Sequence, residues 1–160
     1  MLTHELTALL RQAGKMVVTA ESCTGGMLAS QLTDLAGSSQ WFDRGFVTYS
    51  NAAKMEILSV PAQMLSQFGA VSCEVAHAMA LGALAASHAD LSIAITGIAG
   101  PDGGTSEKPV GTVCFAWGFQ GEISTRRMQF PASERAKIRC LACCEAMKGA
   151  IELLKTCRLG

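Results

Sequence analysis

The chain has 160 residues, 49% of them hydrophobic and 16% charged, with 13 basic residues against 13 acidic ones. That length suits one domain with a proper core and is short for two, and the apolar content excludes a disordered chain. Balanced charge gives no global basic field for nucleic acid, so no nucleic-acid partner is expected. The longest apolar stretch, residues 75–86, is alanine-rich and interrupted by His77, too short and weak to span a bilayer.

Residues 3–13 place Leu6, Leu9, Leu10 and Ala13 on one face of an amphipathic helix ended by Gly14. His4, Glu5 and Arg11 make this segment unlike a signal peptide, so a soluble cytoplasmic protein is expected. Residues 16–20 read as a buried strand, followed by a helix over 25–36 and a breaker cluster at 36–39. Residues 45–50 read as a second strand, with Asn51 placed to cap a short helix through Leu58. Pro61 fits the first turn of another short helix ending at Gly69. Ser72 is placed to cap an alanine-rich helix to about His88.

Residues 91–96 form a further buried strand. The stretch 97–109 holds four glycines and two prolines and is a loop by composition. Residues 110–119 and 123–130 read as a hairpin around 120–122, and Ser133 is placed to cap a last helix to about Lys155. Interleaved helices and strands with one hairpin imply an α/β fold: a single three-layer α/β/α domain over 1–160 with a mixed parallel/antiparallel sheet. The seven cysteines read as small core residues in a reducing compartment. Cys140, Cys143 and Cys144 lie in a helical pattern without a second pair at zinc spacing.

Three stretches can carry chemistry. Residues 20–26, Ala-Glu-Ser-Cys-Thr-Gly-Gly, join a strand to a helix through a glycine turn. Free N–H groups and the helix dipole there would attract an anion or a developing oxyanion, and Gly25 and Gly26 would let a substrate approach the backbone. Ser22 and Cys23 are both candidate nucleophiles on that turn; the plain alternative is that Ser22 or Thr24 only caps the helix. In the second stretch, Tyr49-Ser50-Asn51-Ala52-Ala53-Lys54, Lys54 stands one turn into a helix, against its dipole. Desolvated, it could serve as a general base toward a serine; otherwise it is an ordinary surface lysine.

The third stretch, residues 96–105 with 108–112, lies beyond the carboxyl end of a buried strand, where open α/β sheets bind ligands. Its glycines could present N–H groups to phosphate or carboxylate, although it matches neither the Walker A nor the G-x-G-x-x-G spacing. Position 25 is glycine, so Ser22 lacks the S-x-x-K lysine, and no histidine stands beside a candidate nucleophile. Arg126 and Arg127 read as a solvated hairpin face. Arg135 and Arg139 could meet a phosphate, with surface pairing the alternative.

Residues 20–26, the segment from Tyr49 to Lys54, and Thr-Gly-Ile-Ala-Gly-Pro-Asp-Gly-Gly at 96–104 with Lys-Pro-Val-Gly-Thr-Val at 108–113 together resemble the CinA C-terminal domain family over nearly the whole chain. The resemblance implies an amidase that hydrolyses nicotinamide mononucleotide to nicotinate mononucleotide and ammonia in pyridine-nucleotide salvage. It makes Ser22 the nucleophile, Lys54 its base and Tyr49 a residue that orients the lysine or assists proton transfer. Substrate-binding positions would be Thr24, Gly25 and Gly26 at the turn, Thr96, Gly97, Gly100, Gly103 and Gly104 in the loop, and Arg135 toward the phosphate. The longer family proteins carry an additional N-terminal domain, for which this chain is expected to have no room, so no activity of that domain is implied. The expected partner is the small nucleotide, with no cofactor, metal or membrane required, and the expected assembly is a homo-oligomer, a dimer being favoured. Two rivals remain: Cys23 as nucleophile, and a non-catalytic nucleotide-binding or protein-interaction module of the competence/damage-inducible type.

Overall fold

Residues 91–96, expected as a buried strand, form the centre of the sheet. In a computed structural model that describes residues 1–157, β3 (Leu91–Gly97) is flanked by β1 (Val17–Glu21) and β4 (Thr112–Phe119), with β2 (Phe42–Val47) and β5 (Glu122–Gln129) at the two edges. The expected domain ended at Gly160, so its last three positions lie outside the described residues. β1 pairs in parallel with β2 and β3, while β4 and β5 join antiparallel as the expected hairpin. Strands β1, β3 and β4 are buried along nearly their whole length because both faces of the sheet are covered.

One face is covered by α1 (Leu2–Ala13), α2 (Met27–Thr33) and α6 (Arg135–Thr156), with Leu6, Leu10, Leu28, Leu32, Ile138 and Ala142 among the core residues. The other face carries α3 (Asn51–Leu58), α4 (Ala62–Phe68) and α5 (Cys73–Ala85), where Leu58, Leu65, Val75 and Met79 pack on Val18, Ala20 and Ala94. The three-layer α/β/α fold with a mixed sheet is as expected. Gly82 and Gly149 are contact points. A Cβ on Gly82 would overlap the Leu58 carbonyl of α3, and one on Gly149 would overlap the Trp117 indole of β4.

Several boundaries differ from the sequence expectation. β2 begins at Phe42 rather than Gly45, because Trp41 is buried with its indole N–H on the Leu32 carbonyl at 2.8 Å, which sets the entry to the strand. Gly45 lies inside that strand, where a Cβ would stand 2.8 Å from Thr19 Oγ1 and 3.1 Å from Ala29 Cβ, so glycine lets α2 lie close. α2 runs only from Met27 to Thr33. Ser50 rather than Asn51 caps α3, its hydroxyl accepting from the Ala53 N–H at 3.0 Å, and Ser72 caps α5 as expected. α6 starts at Arg135 without a side-chain cap from Ser133. Arg126 is not merely solvated: it pairs with Glu145 at 2.6 Å and Glu152 at 2.8 Å and lies over the Trp117 ring, tying edge strand β5 to α6.

The parallel strands β1, β2 and β3 end on the same side. From β1 the chain goes outward to β2 on one flank and then to β3 on the other, so the carboxyl end of β1 is a topological switch point. Ligand crevices of open α/β sheets form there.

Candidate active site

Ser22 is the first residue after β1. Its N–H continues the ladder onto the Ile95 carbonyl at 3.0 Å, and its carbonyl accepts the Gly25 N–H at 3.0 Å. The turn needs left-handed backbone at Gly25 (φ 58) and Gly26 (φ 97), which glycine adopts without the Cβ penalty. The alternative role for Ser22 or Thr24, capping α2, falls to a residue that the sequence reading missed. Glu21, fully buried, accepts the Leu28 and Ala29 N–H groups of α2 at 2.9 and 3.0 Å on its two carboxylate oxygens. The start of α2 is therefore already occupied by an anion. Within the turn, the Cys23, Thr24 and Gly26 N–H groups donate to no acceptor among the described residues.

Lys54 is not a surface lysine; it is 1% exposed. Capping by Ser50 starts α3 beside the end of β2, and helical geometry throws the Lys54 side chain back toward the helix N-terminus. Its Nζ lies 3.0 Å from Ser22 Oγ, 2.9 Å from the Thr48 carbonyl and 3.0 Å from the Tyr49 carbonyl. No carboxylate is among these partners. Burial lowers the Lys54 pKa from the ordinary lysine value, and only Cys23 opposes that shift. A neutral amine has two N–H donors and one lone pair, and the three contacts accommodate that set: two carbonyls and one hydroxyl. Ser22 Oγ is also 3.4 Å from the Tyr49 carbonyl.

The pair opens on a cavity of about 260 Å³, lined by Ser22, Cys23, Tyr49, Lys54, Thr96 and Arg135 together with parts of the 97–103 loop. Gly97, Gly100 and Gly103 line it as expected. Thr96 Oγ1 donates to the Ala70 carbonyl at 2.8 Å, which brings Ala70 and Val71 to the wall. Arg135, exposed at the rim, donates to the Gly100 carbonyl at 2.8 Å and to the Tyr49 hydroxyl at 3.0 Å, leaving further guanidinium donors open. Tyr49 thus meets Lys54 through its main-chain carbonyl, while its phenol, on a residue 58% exposed, engages Arg135.

Four expected binding positions stand elsewhere. Thr24 is fully buried, Gly25 packs under the Arg139 guanidinium, Gly26 faces Val47, and Gly104 packs on the Val110 main chain. None of the four lines the cavity. Asn51 and Asp102 do line it and were missed, although both lie inside motifs already singled out. Asn51 was read as a cap; Ser50 takes that role and leaves its amide at the wall. Arg139 forks onto the Cys23 and Thr24 carbonyls at 3.0 and 2.9 Å instead of pairing on the surface. The rival nucleophile Cys23 has its thiol pushed up to about 11, first by burial. Cys143 is buried and Cys140 exposed on α6, and among the described residues no group of His, Cys, Asp and Glu could hold a metal ion.

An α/β domain with a buried lysine on a serine at the switch point defines a compact class, and comparison narrows it. The chain belongs to the CinA C-terminal domain family, whose sequence pattern it matches over residues 1–154. It is 52% identical over 151 residues, 94% of this chain and 92% of the relative, to the nicotinamide-nucleotide amidohydrolase PncC of Enterobacter agglomerans. The PncC protein of Escherichia coli K12 is 53% identical over 136 residues, 84% of this chain and 82% of that protein. Among solved structures, the competence damage-inducible protein A of Klebsiella pneumoniae superposes with a TM-score of 0.94 at 40% identity, over 98% of this chain and 97% of that one.

Proposed function

We propose that this protein is a nicotinamide-nucleotide amidohydrolase that cleaves the carboxamide of nicotinamide mononucleotide with Ser22 as nucleophile and Lys54 as base. The observation that carries this reading is the 3.0 Å contact between Ser22 Oγ and the buried, carboxylate-free Lys54 Nζ in a chain 52% identical to a named amidohydrolase. In the neutral amine, the Thr48 and Tyr49 carbonyls take both N–H groups and turn the lone pair toward the Ser22 hydroxyl. Ser22 Oγ attacks the carboxamide carbon as its proton passes to Nζ. The Cys23 N–H, on a residue that lines the cavity, is the donor for the oxyanion; one such donor contributes about 3 kcal/mol.

Collapse returns the proton from Nζ to the amide nitrogen, which leaves as ammonia. Water activated by the same amine then opens the Ser22 ester and releases the carboxylate product, nicotinate mononucleotide. The cavity suits a zwitterionic nucleotide. Among the described residues Asp102 is the one carboxylate on its wall and complements a cationic pyridinium, while Arg135 at the rim has donors for the phosphate. Pure protein incubated with nicotinamide mononucleotide in EDTA should release ammonia and nicotinate mononucleotide in equal amounts. Tight nucleotide binding with no ammonia would contradict the reading and favour the binding-module alternative.

A further inference from the structure

Two charged side chains that do not line the cavity hold the nucleophile turn. Arg139 lies one helical turn beyond Arg135 on α6, a helix anchored in the core through Ile138 and Ala142. Its Nε donates to the Cys23 carbonyl at 3.0 Å and its Nη2 to the Thr24 carbonyl at 2.9 Å. Gly25 lies under this fork, where a Cβ would meet Nη2 at van der Waals distance, 3.4 Å, and its left-handed backbone (φ 58) is what requires glycine. Peptide groups are planar, with C=O and the following N–H antiparallel. Fixing the Cys23 carbonyl therefore fixes the plane of the Cys23–Thr24 peptide, directly after the residue that follows the nucleophile.

Glu21 completes the arrangement from the strand side. Its carboxylate holds Leu28 and Ala29 of α2, and its carbonyl accepts the Thr48 N–H at 2.9 Å. Thr48 in turn presents its own carbonyl to Lys54 Nζ. One residue thus connects the serine turn to the lysine cradle.

We propose that Arg139, with Glu21 as its counterpart, is a positioning residue: it fixes the peptide between Cys23 and Thr24 so that Ser22 stays within reach of Lys54. The proposal rests on the amidase reading and extends it to residues that touch no substrate. Arg139 is half-buried on a helix surface, so Arg139→Gln leaves the core intact.

Three readouts test it on the full chain: kcat and KM with nicotinamide mononucleotide, the rate at which a fluorophosphonate labels Ser22, and urea unfolding. Arg139→Gln should lower kcat and the labelling rate together by about a hundredfold, with KM and the urea midpoint near wild type. Arg139→Lys should recover part of the loss, because an ammonium cannot fork onto two carbonyls. An unchanged labelling rate, a loss that only follows the folded fraction, or a rise in KM alone would overturn the proposal, the last making Arg139 a substrate ligand. Labelling needs no nucleotide. Wild type that labels at Ser22 in an Arg139-dependent way without releasing ammonia would uphold the positioning role while the substrate assignment fell.

Discussion

Lys54→Met separates the chemical role of the amine from its structural one. The substitution keeps an unbranched side chain in a site 1% exposed and deletes three hydrogen bonds of 2.9 to 3.0 Å. The Tyr49 carbonyl retains the Ser22 hydroxyl at 3.4 Å, but the Thr48 carbonyl loses its Lys54 donor on a fully buried residue, at a cost of about 1–3 kcal/mol. Opposing this, wild type must deprotonate Lys54, or bury its charge, in order to fold at neutral pH. The unfolded lysine holds its proton up to about pH 10.4, whereas the folded one releases it lower. Between those two values the folded state binds fewer protons, so the Lys54 contribution to stability rises with pH, by at most about 1.4 kcal/mol per unit. Below the folded pKa that slope disappears.

Methionine has no such slope. Urea unfolding of both proteins from about pH 6 to about pH 10 should therefore show the wild-type advantage growing with pH, and shrinking or reversing toward acid. Amidase activity should fall about 10²–10⁴-fold, which is roughly 3–5 kcal/mol of barrier. A stability difference independent of pH, or activity within about tenfold of wild type, would refute the picture of a buried neutral base.

Three further outcomes are expected. Cys23→Ala should keep near-wild-type turnover, and iodoacetamide should leave the wild type active at neutral pH, because a thiol pushed up to about 11 is almost wholly protonated there; loss of activity would revive the cysteine mechanism. Arg135→Gln should raise KM for the nucleotide by about 10–100-fold, in line with loss of a charged hydrogen bond, while changing KM for nicotinamide riboside far less; equal effects on both would remove the phosphate role. Gly149→Ala should lower stability by about 1–3 kcal/mol in urea unfolding, because its Cβ overlaps the Trp117 indole and pushes α6 from the sheet. An unchanged midpoint would mean that this contact is not close.

The layer order was legible in the sequence because buried strands and capped helices alternate with clear periodicity, and the one hairpin stands out by its turn. Helix and strand ends were less so. The start of β2 depends on the Trp41 indole reaching Leu32, and the length of α2 on Glu21, both contacts between segments that local propensity does not encode. Ser22 and Lys54 could be named from their strand–helix junctions, yet nothing local distinguished a surface lysine from one fully enclosed 32 positions away from its serine. Gly25, Gly26 and Gly104 were expected at the substrate, but they stand outside the cavity lining, the first two serving the left-handed turn and Gly104 the close approach of the Val110 main chain. Arg139 carried no signal beyond its helical spacing from Arg135, because its partners are main-chain carbonyls with no sequence signature of their own.

Ser22 carries the bond-forming step. Ammonia release from nicotinamide mononucleotide by Ser22→Ala, measured beside wild type with matched folded fractions, should fall by about 10³-fold or more, since the acyl ester can no longer form. Turnover of the variant close to the wild-type rate would contradict a serine nucleophile activated by Lys54.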